Sequence, residues 1–300
     1  MATLKGQNLR VIVGTTCVAM ATNCTITINA NASEASTKDA LGNASLPEVN
    51  SISWSAQVDS LDVLDTASVL AGILAQVGPT PTPLTLTWDE TSATDNQSPL
   101  EATWGRTGQA YITDATFTFN DRENSVKNIQ FTGTGPIVDS TLSTITQVTD
   151  STYTKGQFVR LFIADQSTPT TVVAAAKSLS LHVSVAMEVA TTKDTTGDFD
   201  VQSPTTLSYD ITTEALVRGN DTITSSVNSQ ALDSFTQWIE EKDSRPYWQI
   251  ANVSGANNRT KGTVIASGRC IVSQLTINAA NRENATYSAQ LTGYGPYVAV

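Results

Sequence analysis

Few side chains here could carry chemistry, and their spacing weighs against each reaction they would serve. His182 is the one histidine in 300 residues. It stands on an alternating run, Leu181-His182-Val183, where a solvent-facing or hydrogen-bonded ring is expected. Ser-His-Asp or Cys-His catalysis would depend on that residue alone. Cys17, Cys24 and Cys270 show no Cys-x-x-Cys spacing, and with one histidine a structural zinc site is not expected. They read as small apolar side chains in a reducing compartment. Asp198-Phe199-Asp200 offers hard oxygens of the kind calcium takes, but solvation is the ordinary state of turn carboxylates such as Asp194 to Asp200. Gly133-Thr134-Gly135-Pro136 lacks the Lys-Ser/Thr of a phosphate-binding loop and opens no helix. It reads as a chain-exit turn, where glycine permits positive φ and proline stops the strand. In Arg122-Glu123-Asn124 and Arg282-Glu283-Asn284 the Arg and Glu are expected to pair across a tight turn or to lie at a subunit contact. No enzyme, cofactor or metal is expected.

The elements that would position these residues occur twice. Lys5-Gly6-Gln7-Asn8-Leu9-Arg10 aligns with Lys155-Gly156-Gln157-Phe158-Val159-Arg160, 150 positions on. Thr37-Lys38-Asp39 aligns with Thr192-Lys193-Asp194 at an offset of 155, which also sets Trp54 on Tyr209. The two Arg-Glu-Asn turns, and Thr132-Gly133-Thr134-Gly135-Pro136 with Thr292-Gly293-Tyr294-Gly295-Pro296, align at 160. Three anchors in register imply a tandem duplication with small loop insertions. The copies are expected at 1–138 and 155–300, with a Ser/Thr-rich linker at 139–154.

Each copy opens with a short strand (9–13 and 158–163). Period-two strands follow at 25–28 and 179–185, then long polar loops at 29–50 and 186–205, then strands at 52–58 and 207–211. One helix breaks the pattern in each copy. In the first, Asp65 caps a stripe of Val69, Leu70, Ile73, Leu74 and Val77 that Gly78 ends. In the second, Asn228 or Ser229 caps Leu232, Phe235, Trp238 and Ile239. Strands 109–119 with 126–132, and 269–277 with 286–292, close the copies. The expected class is mostly β: two tandem β-sandwich or partly open barrel domains, each with one flanking α-helix.

Composition narrows the function. Charged residues make up only 15% of the chain, against about 25% in typical domains, so neutral Thr, Ser and Asn must supply the polar surface. With 17 basic against 28 acidic residues, a net −11, the chain lacks the clustered cations that grip nucleic acid. Residues 11–21 resemble a signal-peptide core, but Gly14, Thr15 and Thr16 interrupt them and their opening recurs at mid-chain, so they read as a strand. No apolar run approaches the roughly 20 residues of a membrane span.

A strand after Lys-Gly-Gln, a Thr/Asn-rich connection, one helix and a closing hairpin ending in Thr-Gly-x-Gly-Pro, all in duplicate, resemble the tail tube proteins of long-tailed bacteriophages. That resemblance implies a tail-tube-like β-sandwich whose rings of six domains stack into a hollow tube that carries the genome. Two domains per chain then imply a trimeric ring with pseudo-sixfold symmetry. It further implies a virion protein assembled in the host cytoplasm, with itself, tail tip, tape-measure and tail terminator proteins as partners. DNA would pass through the lumen without specific binding. Lys38, Asp39, Lys193, Asp194, Arg122, Glu123, Arg282 and Glu283 are the expected inter-subunit contacts. The alternative is a secreted or cell-surface tandem β-sandwich adhesin or binding module. A glycan-binding protein should show exposed aromatic clusters, whereas Trp54, Trp88, Trp104, Trp238 and Trp248 are spread through core elements.

Overall fold

The computed structural model describes residues 6–18, 20–34, 47–61, 66–91, 104–146, 154–195, 197–217, 229–254 and 260–300. The first half contains β1 (Leu9–Val13), β2 (Thr16–Cys17), β3 (Ala21–Glu34), β4 (Pro47–Ser60), α1 (Thr66–Gln76), β5 (Leu84–Glu90), β6 (Gly105–Asn120) and β7 (Val126–Asp139). The second contains β8 (Val159–Ala164), β9 (Thr171–Val172), β10 (Ala176–Val189), β11 (Gln202–Leu216), α2 (Ser229–Glu240), β12 (Tyr247–Ser254), β13 (Thr260–Asn278) and β14 (Thr286–Ala299). The strand-rich class with two helices agrees with the sequence reading.

The pairings between these strands are antiparallel and belong to one 14-stranded sheet curled into a half-barrel. Within the first half the strand order is β2-β1-β5-β6-β7-β4-β3, and within the second β9-β8-β12-β13-β14-β11-β10, the same order by counterpart. The halves meet where β10 pairs with β6, from Ser178 opposite Asn120 to Ser184 opposite Asp114. They therefore share one sheet.

Period-two alternation builds the core from this sheet. Leu179, Leu181, Val183 and Val185 of β10 point inward beside Ala115, Phe117 and Phe119 of β6, all buried. Each such large side chain taken from water contributes about 1.5–3 kcal/mol. In α1, Leu70 and Ile73 are buried as expected, but Gln76 is too, its Oε1 accepting from the Ile112 amide at 2.9 Å. In α2, Phe235 and Trp238 face the core, and Phe235 meets Tyr287 with ring centroids 6.3 Å apart. Ile239 departs from the expected stripe and is 42% exposed. The expected caps Asp65 and Asn228 lie outside the described residues, and Ser229 is already the first helical residue.

The polar connections are shorter than expected because strands extend into them. β3 runs to Glu34 and β4 starts at Pro47, while β10 and β11 leave only 190–201 between them. Residues 140–146 of the expected linker lie along the sheet: the Ser140 amide donates to Gly105 O at 3.1 Å and the Thr146 amide to Thr15 O at 2.7 Å.

One aromatic anchor recurs in each half. Trp54 lies on Gly133 and Gly108, leaving no room for a Cβ at either, and its indole N–H donates to Gly135 O at 3.0 Å. Tyr209 lies likewise on Gly293 and Gly268, and its hydroxyl donates to Arg269 O at 2.6 Å. Positive φ recurs at Met20 and Ala175, at Arg122 and Arg282, and at Gly135 and Gly295.

Candidate functional site

His182 sits at the junction of the two halves. Its Nε2 lies 2.6 Å from Oδ2 of Asp114 on β6, and its Nδ1 lies 3.0 Å from Oδ1 of Asp210 on β11. Burial alone would lower its pKa, but the hydrogen bonds and charges of Asp114 and Asp210 outweigh that and raise it. With both ring nitrogens held by carboxylates, neither is free to take a proton from a nucleophile. Nearby, Ser184 and Ser208 bond each other at 2.8 Å. The arrangement ties three strands together.

The other chemistry-bearing residues are also bound into the fold. Cys17 and Cys270 are buried and Cys24 is half-buried. Burial raises all three thiol pKa values, Cys270 to about 12, which keeps them protonated and unreactive at neutral pH. The Gly135 amide, the donor a phosphate would use, is given to Asp200 O at 2.9 Å. Asp198 and Asp200 flank a parallel bridge between Phe199 and Ile52 of β4: the Ile52 amide donates to Asp198 O at 2.6 Å and the Asp200 amide to Ile52 O at 2.9 Å. Thus the stretch expected to be solvated carboxylates is where the second half's connection docks on the first.

The expected contact residues form four pairs, three of them among the described residues. Arg122 and Glu123 form the turn after β6, and they do not pair with each other. Glu123 Oε2 accepts from Asn120 Nδ2 at 2.8 Å, while Arg122 stands 3.7 Å from Asp121. Glu123 O receives the Gly156 amide at 2.9 Å, so this turn holds the start of the second half. Arg282 and Glu283 form the matching turn after β13 and are exposed. Lys193 and Asp194 lie in an exposed turn in which the Thr195 amide donates to Thr192 O at 3.0 Å. Lys38 and Asp39 lie outside the described residues.

Two long strand edges are unpaired among the described residues although their counterparts are paired. β3 pairs only with β4, whereas its counterpart β10 pairs with both β11 and β6. Beyond Arg269, β13 pairs only with β14, whereas the matching part of β6 holds both β7 and β10. Ile28 on β3 and Ile277 on β13 are each 56% exposed. Part of the outward face of the sheet is neutral and polar, with Thr25, Thr27, Ser55, Gln57 and Gln130 lining a shallow groove. A cleft of about 400 Å³ opens beside Tyr247, Arg269, Tyr294, Gly295 and Pro296. In it the Arg269 guanidinium stacks 5.0 Å from the Tyr247 ring. No sequence signal marked that cleft, because its aromatic and cationic residues come from three strands.

No family model matches the sequence, and no curated protein matches it. Among solved structures, one similar chain comes from the virion of a native gene transfer agent particle, with 11% identity and a TM-score of 0.37 over 49% of this chain and 98% of that one. Another comes from the tail of an empty gene transfer agent particle with C6 symmetry, with 12% identity and a TM-score of 0.35 over 47% of this chain and 95% of that one.

Proposed function

We propose that the chain is a structural virion protein made of two copies of one unit, which self-assembles into stacked rings and forms the hollow tail tube through which DNA passes. The observation that carries this reading is the junction of β10 on β6. It joins unlike edges of two units with the same strand order, so each end of the pair keeps an unused edge of the opposite kind. Contacts of this head-to-tail type close into rings when the rotation allows. A ring of six units then takes three chains. Long open edges with exposed isoleucines are a liability in an isolated soluble protein, and pairing between copies removes them.

The polar face suits a channel wall. Across the junction it presents Thr116, Thr118, Ser180, Ser184 and Thr212, with Asp114 and Asp210 closed around His182. DNA sliding past such a wall meets no exposed cation row to hold its phosphates. Tail tip, tape-measure and terminator proteins are the remaining partners of this reading, with the virion as its location. The test is negative-stain electron microscopy of the concentrated protein, with symmetry-free averaging. Rings or tubes with a central hole and three chains per ring are expected. Six chains per ring refutes the trimer, and a monomer at every concentration refutes assembly and favours the cell-surface module.

A further inference from the structure

We propose that neighbouring chains join by laying β3 of one along the free stretch of β13 of the next, in the register β10 keeps on β6, with Gly6 seated against the next chain's turn at Ala280 to Glu283. The inference rests on the assembly reading and assigns its contact residue by residue.

The irregularities of the strands fix the correspondence. Register shifts fall between Ala21 and Asn23 and between Asn31 and Ala32 in β3, and between Ala176 and Ser178 and between Ala186 and Met187 in β10. They fall between Thr107 and Gln109 and between Ile112 and Asp114 in β6, and between Ser267 and Arg269 and between Val272 and Gln274 in β13. Each β-bulge thus recurs at its counterpart position, so side chains that face the core in one strand face it in the other. Transferring the β10–β6 register places Asn23 opposite Ala280 and Asn29 opposite Gln274, with Ile28 on Leu275 and Ile26 on Ile277. The side chains this would cover are those now uncovered. Val183 and Phe117 are 0% exposed at the internal junction, while their counterparts Ile28 and Ile277 are each 56% exposed.

Gly6 supplies independent support. A Cβ on its counterpart Gly156 would lie 2.3 Å from Asn120 O, so the internal junction requires glycine there. A Cβ on Gly6 would meet nothing within 4 Å. Its φ lies outside the left-handed range that would by itself demand glycine. Among the described residues of its own chain, no neighbour requires glycine at position 6. The next chain's Ala280 backbone, the counterpart of Asn120, would. Similarly, the Gly135 amide is used by Asp200 O while the cleft at its counterpart Gly295 stands open. Among the described residues, these three contacts of the second half on the first, the β10–β6 ladder, the Gly156 seat and the Gly135 amide bond, have vacant counterparts on the second half.

Two variants in the full chain test the assignment. Gly6→Val should leave the melting temperature of the unassembled chain unchanged and abolish rings in sedimentation and micrographs, whereas Gly156→Val should lower the melting temperature. Cys24 falls opposite Ala279 in the transferred register, where antiparallel Cα atoms are about 4.5–5.5 Å apart, within disulfide reach of about 4.4–6.8 Å. Oxidised Ala279→Cys should therefore give covalent dimers and trimers on a non-reducing gel. The parent chain and Asn278→Cys, with its thiol on the other face, should not. Rings that form with Gly6→Val overturn the seating, and rings of Ala279→Cys that stay uncross-linked overturn the register; both outcomes leave ring assembly standing. A Gly6→Val chain that melts early leaves the decision to the cross-link. A parent chain that never assembles overturns this contact and the assembly reading together.

Discussion

Gly133→Ala should be among the most damaging single-methyl changes in this chain. A Cβ at residue 133 would fall 2.0 Å from Cε2 of Trp54, 2.2 Å from Cδ2 and 2.4 Å from Nε1. The neighbouring strand is not a softer site, because a Cβ on Gly108 would lie 2.6 Å from Cζ2 of the same ring. The indole must therefore tilt off the sheet. Doing so breaks its bond to Gly135 O, worth about 1 kcal/mol net. It also disturbs the edge-to-face contact with Trp88, 5.5 Å between centroids, worth about 1 kcal/mol. Repacking an overfilled core adds about 1–3 kcal/mol. A loss of about 4 kcal/mol follows. Urea unfolding of the unassembled chain, followed by tryptophan fluorescence, measures it. Trp54→Leu frees the space above residue 133, so in a double-mutant cycle Gly133→Ala should cost much less in that background. An unchanged unfolding midpoint for Gly133→Ala, or full additivity in the cycle, would refute the reasoning.

The His182 clamp makes the junction sensitive to pH. Its pKa is raised in the folded chain because Asp114 and Asp210 outweigh the effect of burial, so its stabilisation is complete below the ordinary value of 6.5 and is lost as pH rises through the folded value. NMR titration of the His182 ring should show this upward displacement, and His182→Gln should remove the corresponding slope of stability with pH; a pKa at or below 6.5 contradicts the clamp. If the face of β3, β6 and β10 lines a channel, Thr25→Lys with Thr118→Lys should make assembled tubes retain duplex DNA in a salt-dependent way. Retention indistinguishable from the parent tubes would place that face elsewhere.

Much of the strand pattern was legible because half-buried strands alternate: Leu179 to Val185 and Ala115 to Phe119 announce their inward faces. The strand extensions were not. Residues 29–34 and 47–50 are exposed on both faces, so no period-two signal separates them from loop. Gln76 and Lys127, each 1% exposed, contradict their chemistry and could be placed only once their surroundings were known. Of the candidate contacts, the Arg-Glu-Asn turns were visible as repeated sequence. Their role was not, because Glu123 acts through its carbonyl oxygen, on the Gly156 amide, and no side-chain pattern encodes that bond. The β6–β10 pairing was hidden for a related reason. Backbone ladders between strands some 60 residues apart leave no periodicity in sequence.

The differences between the internal junction and its proposed external counterpart bear on why two units would share a chain. At the internal junction, His182 sits between Asp114 and Asp210. At the proposed external one the corresponding positions are Thr27, Gln274 and Ser55, all neutral. The internal contact forms without loss of translational freedom, since its partner is covalently attached, and it can accommodate a half-buried cluster of titratable groups. Each chain that joins an assembly carries an association cost of about 4–15 kcal/mol. A closed ring of three two-unit chains would meet that cost twice, and one of six single-unit chains five times. The neutral external edges would then join by strand pairing and isoleucine burial alone, which favours reversible closure during assembly. Repulsion between mispaired charges would have little part in choosing the partner, so register would depend on the bulges and on the fit of Gly6.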